Sequence, residues 1–214
     1  MSKTFIRAKS EENKQIKLLE IMNVTDELFK ENTYHDITLT TISKALNIAR
    51  GGLYKYVSSK EEIFLLIYLK KQKEVIDEIN SQITVDTSKD QLVNIMSNTL
   101  YKHIDYIKYH QILNAIIETN VTIERLADFK VTSYNDREEL FNKILSIVQL
   151  NNIQEVTHLY LMILYHCVYL SDRYAYEESY RLAMQLANLP IEEIDFVSYL
   201  NQFITICFNN YYKS

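Results

Sequence analysis

The sequence is short of the residues that interrupt helices. Its 214 residues include two glycines and one proline, and no segment alternates polar and apolar side chains. Because strands and their turns depend on that alternation and on glycine and proline, these shortages exclude a β-rich fold and predict an all-α chain. They also exclude the glycine loops that cradle phosphates and the elbows that expose a nucleophile. We therefore expect no enzyme and no catalytic residues.

Cysteine and long apolar runs are also scarce. Two cysteines give no disulfide framework. No apolar run reaches the roughly 18 residues that a membrane-spanning helix needs, and no signal-peptide pattern is recognisable at the N-terminus. The five histidines show no metal-ligand spacing on one helical face. The sequence thus predicts a cytoplasmic protein with no membrane partner, no metal and no cofactor.

The two glycines that are present stand side by side, at Gly51 and Gly52, inside a segment that otherwise reads as a helix. A glycine inside a helix costs roughly 1 kcal/mol relative to alanine. Glycine also offers bare backbone, which lets another molecule come close. The pair therefore indicates a surface that something must approach closely.

The residues around this pair are basic and aromatic. Between residues 37 and 60 the chain has no carboxylate, while four cations and two tyrosines interleave: Lys44, Arg50, Lys55 and Lys60 with Tyr54 and Tyr56. Residues 1–60 carry 10 Lys or Arg and 7 Asp or Glu, whereas residues 61–214 carry 13 and 21. A positive, aromatic segment is typical of a helix that enters a groove between phosphate backbones.

The same segment has the capping pattern of a helix–turn–helix. Thr38 is a suitable N-cap for a helix over residues 39–46, and Asn47 tolerates the left-handed conformation that ends a helix. A second helix is predicted over residues 50–57. The sequence Ser59-Lys-Glu-Glu62 is then a capping box for a third helix.

Residues 38–63 resemble the DNA-binding signature of the TetR-type transcriptional repressors. The matching elements are Thr38, Ile42, the turn at residues 47–48, the pair at 53–54 and the run at 59–63. The resemblance implies a helix–turn–helix DNA-binding domain over residues 1–60 and a helical ligand-binding and dimerisation domain over residues 61–214. Ala49 departs from the pattern, because a serine or threonine often caps the recognition helix there.

The predicted partner is double-stranded DNA. Thr38, Tyr54, Lys55 and Lys60 are candidates for holding phosphates, whereas Tyr56 and Arg50 are candidates for reaching base edges. Arg50 donating to guanine and Arg50 gripping a phosphate remain equal alternatives. The candidate DNA-binding residues are Thr38, Thr40, Arg50, Gly51, Gly52, Tyr54, Lys55, Tyr56 and Lys60.

Two C-terminal segments predict a homodimer. Residues 153–174 are apolar nearly all round, and residues 194–211 carry an apolar stripe. One chain can hardly cover both, so we expect a four-helix interface between two copies and, from its two-fold symmetry, a palindromic operator. The candidate interface residues are Val156, Tyr160, Ile163, Cys167, Val197, Leu200, Ile204 and Phe208.

The predicted C-terminal domain is rich in tyrosine, with 17 in the whole chain. Tyrosine suits a cavity for an aromatic or cationic small-molecule inducer, and the candidate pocket residues are Tyr101, His103, Tyr134, Tyr165 and Tyr169. A tyrosine-rich core without a ligand is the alternative. Two functions then remain open: a repressor released by a small molecule, and a DNA-binding dimer controlled by a protein partner or not gated by a ligand. Activation instead of repression also remains open.

Overall fold

The computed structural model describes residues 2–175, 177–191 and 195–210. These residues contain helices and no strand, which confirms the all-α prediction. The helices are α1 (Ser2–Glu31), α2 (Leu39–Ala45), α3 (Arg50–Leu53), α4 (Lys60–Gln82), α5 (Lys89–Lys102), α6 (Ile104–Ile112), a π-helical turn (Leu113–Ile117), a 3₁₀ turn (Glu118–Asn120), α7 (Ile123–Val148), α8 (Ile153–Ala175), α9 (Glu177–Leu186) and α10 (Phe196–Asn210). No helix of the described residues is long and apolar enough to cross a bilayer.

One compact unit comprises Met1–Lys70 and Ile112–Phe129. Its core is built around the fully buried ring of Phe64, against which Phe29 and Tyr34 pack edge-on with centroids 5.2 and 4.9 Å away. Ile42 of α2 and Leu53 of α3 are also fully buried. Those two side chains anchor the helix–turn–helix and leave its opposite surface in solvent.

Local sequence explains the start of α2 and the turn after it. The Thr38 hydroxyl accepts the backbone N–H of Thr41 at 3.1 Å, and the Thr41 hydroxyl accepts the N–H of Thr38 at 2.8 Å. Asn47 has a left-handed φ of 52°. Both features match the predictions, because each depends on residues within one helical turn.

The recognition helix is shorter than predicted. α3 covers Arg50–Leu53 and is followed by a turn, instead of running to residue 57. Two of its four residues are glycines, and Ala49 provides no side-chain cap. Because such a segment has little helical stability of its own, it ends as soon as Leu53 is buried.

The second compact unit comprises Lys71–Gln111 and Lys130–Ser214. α10 packs against both α5 and α8, and the core between them includes Met96, Leu164 and Leu200. The apolar periodicity of the sequence predicts one helix over residues 89–108 and another over residues 133–150. The first is broken at His103, whose ψ of 42° is not helical. The second, α7, begins at Ile123, ten residues before the predicted start.

Candidate nucleic-acid interface and ligand-binding unit

The candidate DNA-binding side chains lie mostly on the surface of α2 and α3. Thr38, Thr40, Arg50 and Lys55 are exposed, and Tyr54 keeps 52% of its surface in solvent. Because these cations already lie at the surface beside an exposed aromatic ring, they can contact a phosphate backbone without a change in the fold.

The glycines of α3 are not required by the fold. Neither Gly51 nor Gly52 has a positive φ. A Cβ built at either position meets no atom within 4 Å apart from chain neighbours and its own helix's backbone. Since the protein has room for a Cβ at both positions, the fold does not explain the glycines. Close approach by another molecule does.

Arg50 and Tyr54 form a pair on the exposed side of α3. An Nη of Arg50 donates to the Tyr54 hydroxyl at 3.1 Å, and the guanidinium carbon lies 6.0 Å from the ring centroid. The residues are four apart, so they stack on one helical face. Arg50 and Tyr54 are therefore presented to solvent as a hydrogen-bonded pair.

Lys60 has a structural partner that the sequence did not reveal. Its Nζ donates to the backbone oxygen of Tyr34 at 2.8 Å and lies 3.7 Å from the centre of that ring. Burial lowers the pKa of Lys60, although nearby Glu61 opposes the effect. The Tyr34 hydroxyl donates to Glu61 at 2.8 Å, and burial followed by that carboxylate raises the pKa of Tyr34. These contacts tie the start of α4 to the loop before α2.

Glu62 holds the other side of the same helix start. Its buried carboxylate accepts the backbone N–H of Ser58 at 2.6 Å and the hydroxyl of Ser58 at 2.7 Å, and it forms an ion pair with Arg125 of α7. The Ser59 hydroxyl accepts the Glu62 N–H at 3.2 Å. The predicted capping box is thus half present, because the glutamate bonds Ser58 instead of Ser59. Nothing in the sequence points to Arg125, which is 63 positions away from Glu62.

The candidate pocket tyrosines are about half exposed in the single chain. Tyr101, Tyr134, Tyr165 and Tyr169 each keep 47–55% of their surface in solvent. His103 lies with its Nε2 2.8 Å from a Glu78 carboxylate oxygen, at the junction of α5 and α6. The fully buried tyrosines are others: Tyr106, Tyr109 and Tyr160.

A groove lies between α7 and the start of α8, with a volume of about 570 Å³. Tyr134 and Phe141 form part of one wall, and Ile153 and His158 belong to the other. Tyr134 is thus the one candidate pocket residue that lines this groove.

The candidate dimer residues are mostly interior within one chain. Val156, Tyr160, Ile163, Cys167, Leu200, Ile204 and Phe208 are buried there, and Val197 is half-buried. Burial raises the pKa of the Cys167 thiol, so it stays protonated. Side chains with no exposed surface have none to bury against a second copy. The surface left on α8 and α10 includes Tyr165, Tyr169 and Ile206, and any interface on these helices would use it.

These features define a helix–turn–helix DNA-binding regulator with a separate helical unit. Residues 21–67 match the bacterial regulatory proteins of the tetR family, and residues 69–209 match the tetracyclin repressor-like C-terminal domain. The chain belongs to the TetR family of transcriptional regulators.

Relatives with solved structures share the fold. The fatty acid degradation regulator FadR of Bacillus halodurans is 15% identical, with a TM-score of 0.56 over 91% of this chain and 95% of that one. FadR of Bacillus subtilis in complex with stearoyl-CoA is 14% identical, with a TM-score of 0.58 over 89% and 97%. In sequence, the fatty acid metabolism regulator protein of Bacillus subtilis is 28% identical over 85 residues, which span 39% of this chain and 44% of that protein.

Proposed function

We propose that this TetR-family regulator represses transcription as a homodimer bound to an inverted-repeat operator, and that a small molecule releases it. DNA contact is assigned to residues 1–60, and ligand binding and dimerisation to residues 61–214. The observation that carries the DNA assignment is the bare face of α3, where two glycines stand with open space around them.

The side chains around that face suggest separate roles in DNA contact. Lys55 and Thr40 are exposed and would hold phosphates, while Gly51 and Gly52 let the backbone of α3 enter the major groove. Arg50 and Tyr54 would reach the base edges or the adjoining phosphates as a pair. An arginine that donates twice to guanine contributes about 1–3 kcal/mol of base discrimination.

The exposed apolar surface of α8 and α10 supports the dimer. Tyr165, Tyr169 and Ile206 are each more than half exposed. Two copies of this surface related by a two-fold axis would cover each other. Each copy would then present one recognition helix, with half-sites about 34–36 Å apart.

The ligand class is suggested by the FadR neighbour that was solved with stearoyl-CoA. We propose that a molecule with an acyl chain binds in residues 61–214 of this chain. The groove beside Tyr134 and Phe141, at about 570 Å³, is within the usual range of small-molecule sites. Control by a protein partner is the alternative, and it predicts that no acyl ligand changes operator affinity.

Selection of bound sequences from random duplex DNA tests the proposal. Enrichment of an inverted repeat with half-sites about one helical turn apart would support a dimeric, sequence-specific regulator. Binding that is salt-sensitive but enriches no sequence would contradict it. The selected operator then serves as the probe for release by acyl ligands, and release by none of them would favour the alternative.

A further inference from the structure

Arg137 of α7 is a buried cation without a counter-ion among the described residues. Only 7% of its surface is exposed. Its guanidinium makes one hydrogen bond within the described part of the chain, from Nε to the backbone oxygen of Ser133 at 2.8 Å. A guanidinium carries five N–H donors and no acceptor, so this one bond leaves four donors unused.

Three aromatic rings surround the guanidinium. Its central carbon lies 5.1 Å from the centre of Tyr134, 5.4 Å from Phe141 and 5.9 Å from Tyr160. These cation–π contacts offset part of the cost of desolvation, but they use the ring faces and give the terminal N–H groups no acceptor within residues 2–175, 177–191 and 195–210. The unused donors are the two NH₂ groups, arranged as a fork that matches a carboxylate or a phosphate.

A buried pair of hydrogen-bonded residues, Gln72 and Ser133, fixes the backbone oxygen that accepts from Arg137. Gln72 donates to the Ser133 backbone oxygen at 3.2 Å, and the Ser133 hydroxyl donates back to the Gln72 amide oxygen at 2.8 Å. Gln72 is fully buried and Ser133 is 4% exposed. The oxygen that accepts from Arg137 is therefore fixed, and the guanidinium is oriented before any ligand arrives.

The neighbouring charges do not neutralise Arg137. Lys71 is buried nearby in the same unit, but it forms an ion pair with Asp105. Burial, then Arg137 and Lys130, lower the pKa of His110 to about 4, so His110 is neutral at pH 7. Arg137 thus has no carboxylate partner among the described residues, and an anion that reached its terminal N–H groups would accept charge-assisted hydrogen bonds.

We propose that Arg137 is an anion-binding residue that receives the carboxylate or phosphate group of an acyl ligand bound in the adjoining groove. The inference deepens the proposed ligand-gated function and rests on it. Tyr134 and Phe141 belong both to the ring cluster around Arg137 and to the groove wall, so Arg137 lies against the rings of that wall without itself lining the groove. Glu138, also on that wall, is exposed and would repel an anion at the outer edge.

Calorimetric titration of the full-length protein tests the assignment with three probes of one chain length. Dodecanoate carries a carboxylate, dodecanoyl-CoA carries phosphates, and 1-dodecanol is uncharged. We expect Arg137→Met to weaken binding of one or both anionic probes by roughly 10- to 100-fold, the loss of a charge-assisted hydrogen bond. Binding of 1-dodecanol should change less than twofold, and Arg137→Lys should keep part of the anion preference. Whichever anionic probe loses affinity identifies the group that Arg137 holds.

Lys143→Met is the matched control, since it removes a half-exposed cation from the same helix. Equal losses for anionic and uncharged probes in Arg137→Met would show a structural role and overturn the inference. So would equal affinity of the wild type for all three probes, or no binding of any. Operator binding, measured separately by mobility shift, decides whether the DNA-binding proposal fails independently of the ligand.

Discussion

Each compact unit contains an arginine in contact with tyrosine, but Arg50 is exposed and Arg137 is buried. In the helix–turn–helix, Arg50 donates to Tyr54 at 3.1 Å and both side chains are exposed. In the second unit, Arg137 lies within 6 Å of three ring centres and is almost fully buried. An exposed cation is stabilised by water until phosphates replace the water, whereas a buried cation retains part of its desolvation cost, which an anion can offset. The same chemistry is thus suited to long DNA in one unit and to a small anion in the other.

The units also differ in how their polar groups are held. Glu62, Ser58 and Arg125 hold the start of α4 through contacts that are all satisfied. Around Arg137 the supporting contacts are satisfied, but the terminal donors have no acceptor in the part of the chain that the structure describes. A fully hydrogen-bonded network stabilises a scaffold, whereas donors that the protein leaves unused can bind a ligand that adds stability.

The largest expected effect is a loss of DNA binding from a substitution in α3. Gly52→Leu should reduce operator affinity by roughly 100-fold or more, because a side chain would stand where α3 approaches the groove. The fold should be unaffected, since a Cβ there meets open space. Mobility-shift titration and thermal unfolding measure the two properties.

Gly52→Ala provides the graded control for that variant. Alanine should raise unfolding stability by up to about 1 kcal/mol, because it favours the helix more than glycine does. Undiminished operator binding by Gly52→Leu would contradict the close-approach explanation of the glycines.

The next effect concerns the buried histidine beside Arg137. A histidine in the unfolded chain has a pKa of about 6.5, whereas that of folded His110 is about 4. Between these values the unfolded chain binds the extra proton, so stability is complete above pH 6.5 and is lost as the pH falls toward 4. The loss should be about 3 kcal/mol at most. Urea unfolding of the wild type and of His110→Phe at pH 7 and pH 5 measures this loss. If the free energy of unfolding changes equally with pH in both proteins, the histidine does not cause the loss.

A smaller effect is expected at the contacts among Glu62, Ser58 and Arg125. Glu62→Ala should lower the free energy of unfolding by about 2–3 kcal/mol, because Ser58 loses the charged acceptor of two hydrogen bonds and Arg125 loses its ion pair. Glu27→Ala is the control, since it removes only an exposed pair with Lys30 and should cost less than about 0.5 kcal/mol. Similar losses in the two variants, measured by urea unfolding, would show that the network adds no stability.

Sequence reasoning succeeded where the relevant contacts are local. The Thr38 cap and the left-handed Asn47 each depend on residues within one turn, and both were predicted. It could not find the ion pair of Glu62 with Arg125 or the ring cluster around Arg137, because packing of distant segments creates them. Seventeen tyrosines gave no indication of which ones would be buried, since helical periodicity alone does not separate two apolar faces.

The smallest effect separates two lysines that the sequence treated alike. Lys55 is exposed, so Lys55→Met should leave thermal stability unchanged and reduce the salt dependence of DNA binding by about 0.9 units for each phosphate that the lysine neutralises. Lys60 donates to Tyr34 and lies against its ring, so Lys60→Met should lower unfolding stability by about 1 kcal/mol. If its hydrogen bond persists on DNA, the salt slope should stay that of the wild type. A reduced slope with unchanged stability for Lys60→Met would instead mean that the lysine leaves Tyr34 to meet a phosphate, and that the start of α4 belongs to the DNA-contacting surface.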